Sequence, residues 1–141
     1  MAFMTRLTKA FKGRVQSRSI TVNVAALTAS AVSQVIADAG GALPAGAVVI
    51  ARQINLTEVF AGGGASAATF DIGGTVNADG IADGADVFTG AALVKSAGTD
   101  GILPAGDYGA QTLGVVVTSD VDVDTLTTGA AVVTIWFVIP S

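Results

Sequence analysis

The chain has neither cysteine nor histidine. Disulfide frameworks, thiol chemistry and the usual zinc or copper ligands are therefore excluded. So is the one side chain whose unperturbed pKa suits proton transfer near neutrality. Glu58 is the single glutamate and Tyr108 the single tyrosine. Aromatic residues are scarce, and Trp136 and Phe137 sit inside an apolar run, so the aromatic platforms of a carbohydrate-binding sandwich are not in view. Long apolar runs are missing too. The longest, Ala130 to Ile139, contains Thr134 and stops at Pro140, well short of the about 18 residues a membrane helix needs. No membrane partner is expected.

What remains is a chain of 141 residues, enough for one domain with a real core and too short for two. Mean hydropathy is high at +0.67, carried by Ala and Val more than by Leu or Phe. Charge is unevenly placed. Through Arg18 there are five basic residues (Arg6, Lys9, Lys12, Arg14, Arg18) and no acidic one; beyond it stand two basic and all eleven acidic residues. A cationic arm thus precedes an anionic body, the pattern of a tail that binds something acidic. The arm has the charge of a signal-peptide leader without the apolar stretch that should follow. A transit peptide fits its composition better, but nothing downstream resembles an organellar enzyme. Phe3, Leu7 and Phe11 fall on one face at helical spacing, away from Arg6, Lys9 and Lys12.

From Ser19 the period becomes two. Ile20, Val22 and Val24 alternate with Thr21 and Asn23, and Ile54 and Leu56 alternate with Gln53, Asn55 and Thr57, as in half-buried strands. Phe70–Ile72, 115–118, 121–126 and 132–139 supply further short β-branched runs. In the last, both faces are apolar, which predicts a strand covered on two sides. Glycine-rich turns separate the runs: Gly40-Gly41, Gly62-Gly63-Gly64, Gly73-Gly74, Asp79-Gly80, Asp83-Gly84, Asp100-Gly101 and Thr128-Gly129. The expectation is all-β: an antiparallel β-sandwich (residues 19–141) behind a basic N-terminal arm (residues 1–18). A short helix has room within 25–39. Gly41-Ala-Leu-Pro-Ala-Gly46 recurs as Gly101-Ile-Leu-Pro-Ala-Gly106; Pro44 preset as the second residue of a type I turn accounts for the motif. The repetition reflects two similar halves, as in a double Greek key, or one good turn used twice.

Sites for chemistry are few. Gly62-Gly63-Gly64-Ala65-Ser66-Ala67 fits G-x-G-x-x-A formally, but a strand-like run follows it where a nucleotide fold needs a helix. No phosphate-binding G-x-x-x-x-G-K-[ST] occurs. Asp120, Asp122 and Asp124 would share one face of a strand, but Thr125 and Ala131 stand where a Ca²⁺ loop needs Gly and Glu. Asp79, Asp83 and Asp86, with Asp71 nearby, read as solvated turns. No metal, cofactor or catalytic set is assigned. The triplet Asn55-Leu56-Thr57 is a chance glycosylation match.

Leu43-Pro-Ala-Gly-Ala-Val-Val-Ile50, Asn55-Leu-Thr-Glu-Val-Phe60, the glycine run to Gly64, Ala67-Ala-Thr-Phe-Asp-Ile-Gly73, Asp79-Gly-Ile-Ala-Asp83 and the closing Ile135-Trp-Phe-Val-Ile-Pro140 together resemble small virion proteins of tailed bacteriophages, the head decoration (cement) proteins. The resemblance spans residues 20–140 in its style of strand and turn. It implies a jelly-roll-like body on the capsid exterior, commonly a homotrimer at symmetry axes, whose arm reaches the major capsid protein. The arm residues Phe3, Arg6, Leu7, Lys9, Phe11, Lys12, Arg14 and Arg18 are the candidate contacts. Nucleic acid ranks behind protein as the acidic partner, because the arm carries large apolar residues and the body is acidic. Two other classes remain in contention: a receptor- or glycan-binding module of a tail fibre or spike, and a hydrolase using a pair of aspartates.

Overall fold

The computed structural model describes residues 15–89, 93–95 (backbone only) and 108–139. Eight strands run through it: β1 (Gln16–Asn23), β2 (Ser33–Ala42), β3 (Val48–Ala61), β4 (Ala68–Gly73), β5 (Ala82–Asp86), β6 (Leu93–Lys95), β7 (Thr112–Ser119) and β8 (Thr128–Val138). They form two four-stranded sheets. Sheet A has the order β1-β8-β3-β6 and sheet B the order β2-β7-β4-β5, and every pairing is antiparallel. First pairs with last, second with seventh, third with sixth and fourth with fifth. This is one long hairpin folded over on itself, the strand order of a jelly roll.

The core follows from strand parity. Ile20 and Val22 of β1, Ile54 and Leu56 of β3, Phe70 and Ile72 of β4, Leu113, Val115 and Val117 of β7, and Val133, Ile135 and Phe137 of β8 are all buried. Alternate residues project inward, and two facing sheets pack about 10 Å apart with those inward side chains between them. Phe60 and Phe70 meet edge to face across the core, with ring centroids 5.1 Å apart.

Several local expectations change. The room for a helix within 25–39 holds a single 3₁₀ turn, Val24–Ala26, and then β2; β2 is an edge strand, and Val35 at 61% exposure leaves no apolar stripe for a helix to bury. The run 121–126 is no strand but includes a 3₁₀ turn, Val123–Thr125. Its backbone bonds go back to the loop before β2, Val123 N–H to Ala31 (2.8 Å) and Asp124 N–H to Ala29 (3.3 Å). The turn after Leu43 lies one residue later than the Pro motif predicts. Ala47 N–H bonds to Pro44 carbonyl (3.2 Å), which puts Gly46, at φ 78°, third in a turn that only a left-handed residue completes. Asp83-Gly84 is not a turn but a bulge in β5, two residues opposite Asp71 of β4. Gly40-Gly41 likewise falls inside β2, where its register with β7 shifts. The second Pro motif, 101–106, lies outside the described residues.

The outer face of β8 also departs from expectation. Val132, Thr134 and Trp136 are half-buried, while Val138 at the end of the same face is buried. The first three lie in register with Thr21, Ser19 and Ser17 of β1 and with Asn55, Gln53 and Ala51 of β3, so polar and small neighbours shield them sideways.

Candidate interaction surface

Of the arm residues, Phe3, Arg6, Leu7, Lys9, Phe11, Lys12 and Arg14 lie outside the described residues. Arg18 does not belong with them. It is the third residue of β1, in register with Ile135, and its side chain points inward past the sheet edge. The strand begins at Gln16, so the boundary between arm and body moves to the N-terminal side of that residue. Arg18 Nη1 donates to Asp38 Oδ2 at 3.0 Å and to Gly41 carbonyl at 3.3 Å, and Nη2 donates to Ala42 carbonyl at 3.4 Å. Asp38 is buried, and its other oxygen accepts Gly40 N–H at 2.9 Å. The pair fastens the free edge of sheet A to the free edge of sheet B. A buried cation, Arg52, shares the inward face of Ile54 and Leu56. Parity in β3 signals this: Arg52 takes the same phase as Ile54.

The aspartates are dispersed among separate tasks. Asp120 accepts hydrogen bonds from Ser66 N–H (3.0 Å), Ala67 N–H (3.2 Å) and the Ser66 hydroxyl, tying the glycine loop after β3 to the end of β7. The Ser66 hydroxyl, and then its N–H, hold the Asp120 carboxyl below the ordinary carboxylate range. Asp124 accepts the Ser30 hydroxyl at 2.7 Å. Asp86 accepts Phe88 N–H at 2.8 Å and the Thr89 hydroxyl. Asp71 accepts Gly84 N–H at 2.7 Å, which secures the bulge in β5. Among the described residues no three acidic side chains converge as a cation site would need. The glycine run Gly62–Gly64 leads into β4, a strand, so the nucleotide-loop geometry is not formed.

The outer face of sheet B carries the most distinctive surface. Ala37 of β2, Gly114 of β7 and Gly73 of β4 stand side by side in register. Three minimal side chains in a row across three strands leave a trough. Val35 and Val116 wall one side and Thr112 the other, while the Gly74–Ala78 loop closes the far end. The groove measures about 420 Å³ and is mostly apolar. Val35, with Val32 at the start of β2 and Val76 in the loop at the groove's end, makes up the exposed large hydrophobic residues of the described chain. Tyr108 packs under the same loop, where burial and then the nearby Asp79 carboxylate push its phenol up. Sequence patterning missed this groove, since Gly73 reads there as part of a turn and Gly114 falls just outside the run 115–118. Their adjacency depends on pairing across β4 and β7.

No protein-family model and no curated protein matches the chain. Among solved structures it is similar to a chain of the cyanophage Pam1 capsid asymmetric unit, at 16% identity and a TM-score of 0.56, over 91% of this chain and 86% of that one. At that identity the likeness is one of fold: this chain shares its jelly-roll sandwich with a component of a phage capsid.

Proposed function

We propose that this protein is a structural virion protein, a decoration (cement) protein that binds the outer surface of a phage head as a homotrimer and stabilises it without catalysing a reaction. The observation that carries this reading is the likeness of its fold, over 91% of its length, to a chain from a phage capsid. Fold alone underdetermines function, but two features of this chain agree with it. The aspartates a hydrolase would use are engaged in separate loops and turns. The body keeps half-buried apolar residues on the outside of β8, a surface that self-association or a shell can cover.

The arm, now residues 1–14, supplies the anchor in this reading. Phe3, Leu7 and Phe11 contribute roughly 1.5–3 kcal/mol each if fully covered. The four basic residues before Val15 add about 0.2–1 kcal/mol per exposed pair and mainly speed and orient the encounter with an acidic shell. The test uses purified, protein-only heads built from the major capsid protein. The full chain binds them saturably, as a trimer by light scattering, and raises the temperature at which they break. A chain lacking residues 1–14 keeps its fold and loses that binding. Absence of binding by the full chain overturns the reading.

A further inference from the structure

We infer that the groove on sheet B is the seat of the chain's own N-terminal segment, and that Phe3–Phe11 docks there in the isolated protein. Three observations point to this occupant. The first is where the described chain begins. β1 and β2 lie on the same flank of the sandwich, joined by Arg18 to Asp38, Gly41 and Ala42. Ala42 is in register with Thr112, which lines the groove. The chain therefore enters the body beside the strand whose outer face forms one wall of the trough. Leu7 precedes Val15 by eight residues, a reach of up to about 26–29 Å, against about 10 Å between sheets.

The second is charge. Sheet B contains no basic residue; its strands carry Asp71, Asp83 and Asp86, and Asp79 directly follows the loop closing the groove. The segment through Arg14 carries four basic residues and no acid. The third is chemistry. The floor of Ala37 and Gly114 has room for bulky side chains, and the lining is mostly apolar, with the Thr75 and Thr112 hydroxyls at its margins. Three large apolar residues spaced four apart are what such a trough accepts. Tethering favours the same chain over a second copy, because covalent attachment holds the segment at an effective concentration of the order of millimolar. Docking also hides Phe3, Leu7 and Phe11 from water until another surface competes for them.

Because this docking belongs to the isolated chain, its test needs no shell, and its failure leaves the virion reading untouched. The chain has no cysteine, so two introduced thiols report on each other alone. Thr8→Cys with Ala37→Cys places one thiol beside Leu7 and one on the exposed groove floor. Thr8→Cys with Asn55→Cys is the control, since Asn55 is exposed on the outside of sheet A. Under mild oxidation of the full-length protein, the first pair forms an intrachain disulfide at least tenfold faster than the control. Replacing Phe3, Leu7 and Phe11 with Ser in the same background removes that advantage. Equal rates for the two pairs overturn the inference. So do disulfides that form between chains, which would assign the groove to a second copy's segment, and so does an advantage that survives the three serines.

Discussion

The Arg18 guanidinium lies 3.0 Å from the Asp38 carboxylate and joins the first strand of one sheet to the first strand of the other. Both strands are sheet edges, and an edge without a neighbour is where a sandwich opens. A Cβ at Gly40 would stand 2.5 Å from Arg18 Nη1, so a larger residue there would force the guanidinium to shift.

Arg18→Ala leaves Asp38, 6% exposed, without its cation and still accepting from Gly40 N–H. Losing a charge-assisted bond at a part-buried site costs about 1–3 kcal/mol. Chemical denaturation of the variant should show that loss with an unchanged slope. A variant as stable as the parent would mean that the pair contributes nothing to closing the flank.

Gly129→Ala should damage the core from the backbone. Gly129 has φ 149°, and a Cβ there would meet Phe60 Cδ1 at 2.3 Å. Backbone strain and overpacking together cost about 2–5 kcal/mol. A thermal melt should move down sharply. The neighbouring Ala130→Gly, on the outer phase of β8, serves as the mild comparison.

Phe60 and Phe70 are each fully buried. Truncation of either to Ala should destabilise by about 3–5 kcal/mol. A double-mutant cycle should return a coupling of about 0.5–1.5 kcal/mol for the edge-to-face pair. Strict additivity would show that the rings fill space without favouring each other.

The Asp120 link to Ser66 predicts a pH dependence of defined sign. The carboxyl titrates lower in the folded chain than in the unfolded one, where its pKa is about 3.9. The stabilisation is therefore complete above that value and is lost as pH falls through the lower folded pKa. Asp120→Asn should flatten the acid side of a melting-temperature profile below about pH 4 and leave neutral behaviour less changed. An identical acid limb in parent and variant would remove Asp120 as a contributor. Carbon-13 titration of the parent's carboxyl provides an independent reading.

How much of this was legible in advance depends on whether a feature is local. Period-two alternation in 20–24, 53–57 and 132–139 was enough to name strands and their inward phases, because side-chain direction reverses at each residue whatever the partner strand is. Composition was enough to exclude thiol and imidazole chemistry. The arm's charge and its three apolar residues are also plain in the sequence, whereas the start of β1 at Gln16 is not. Arg18 sits in a period-two segment yet was grouped by charge, and only its cross-sheet partner Asp38 explains an arginine there.

Tertiary structure decided the rest. The pairing of first strand with last joins residues more than a hundred positions apart, such as Ser19 and Thr134, that of second with seventh joins residues at least 70 apart, and no local pattern encodes that choice. The fate of the aspartates was settled the same way. Asp120, Asp122 and Asp124 alternate like a strand face, but the backbone bonds of 123–124 to Ala29 and Ala31 turn the chain away and spread the carboxylates apart. The groove on sheet B exists because Ala37, Gly114 and Gly73 come into register from three separate stretches of chain. Small residues are silent in a hydropathy pattern, and they make a surface only when pairing lines up their missing side chains.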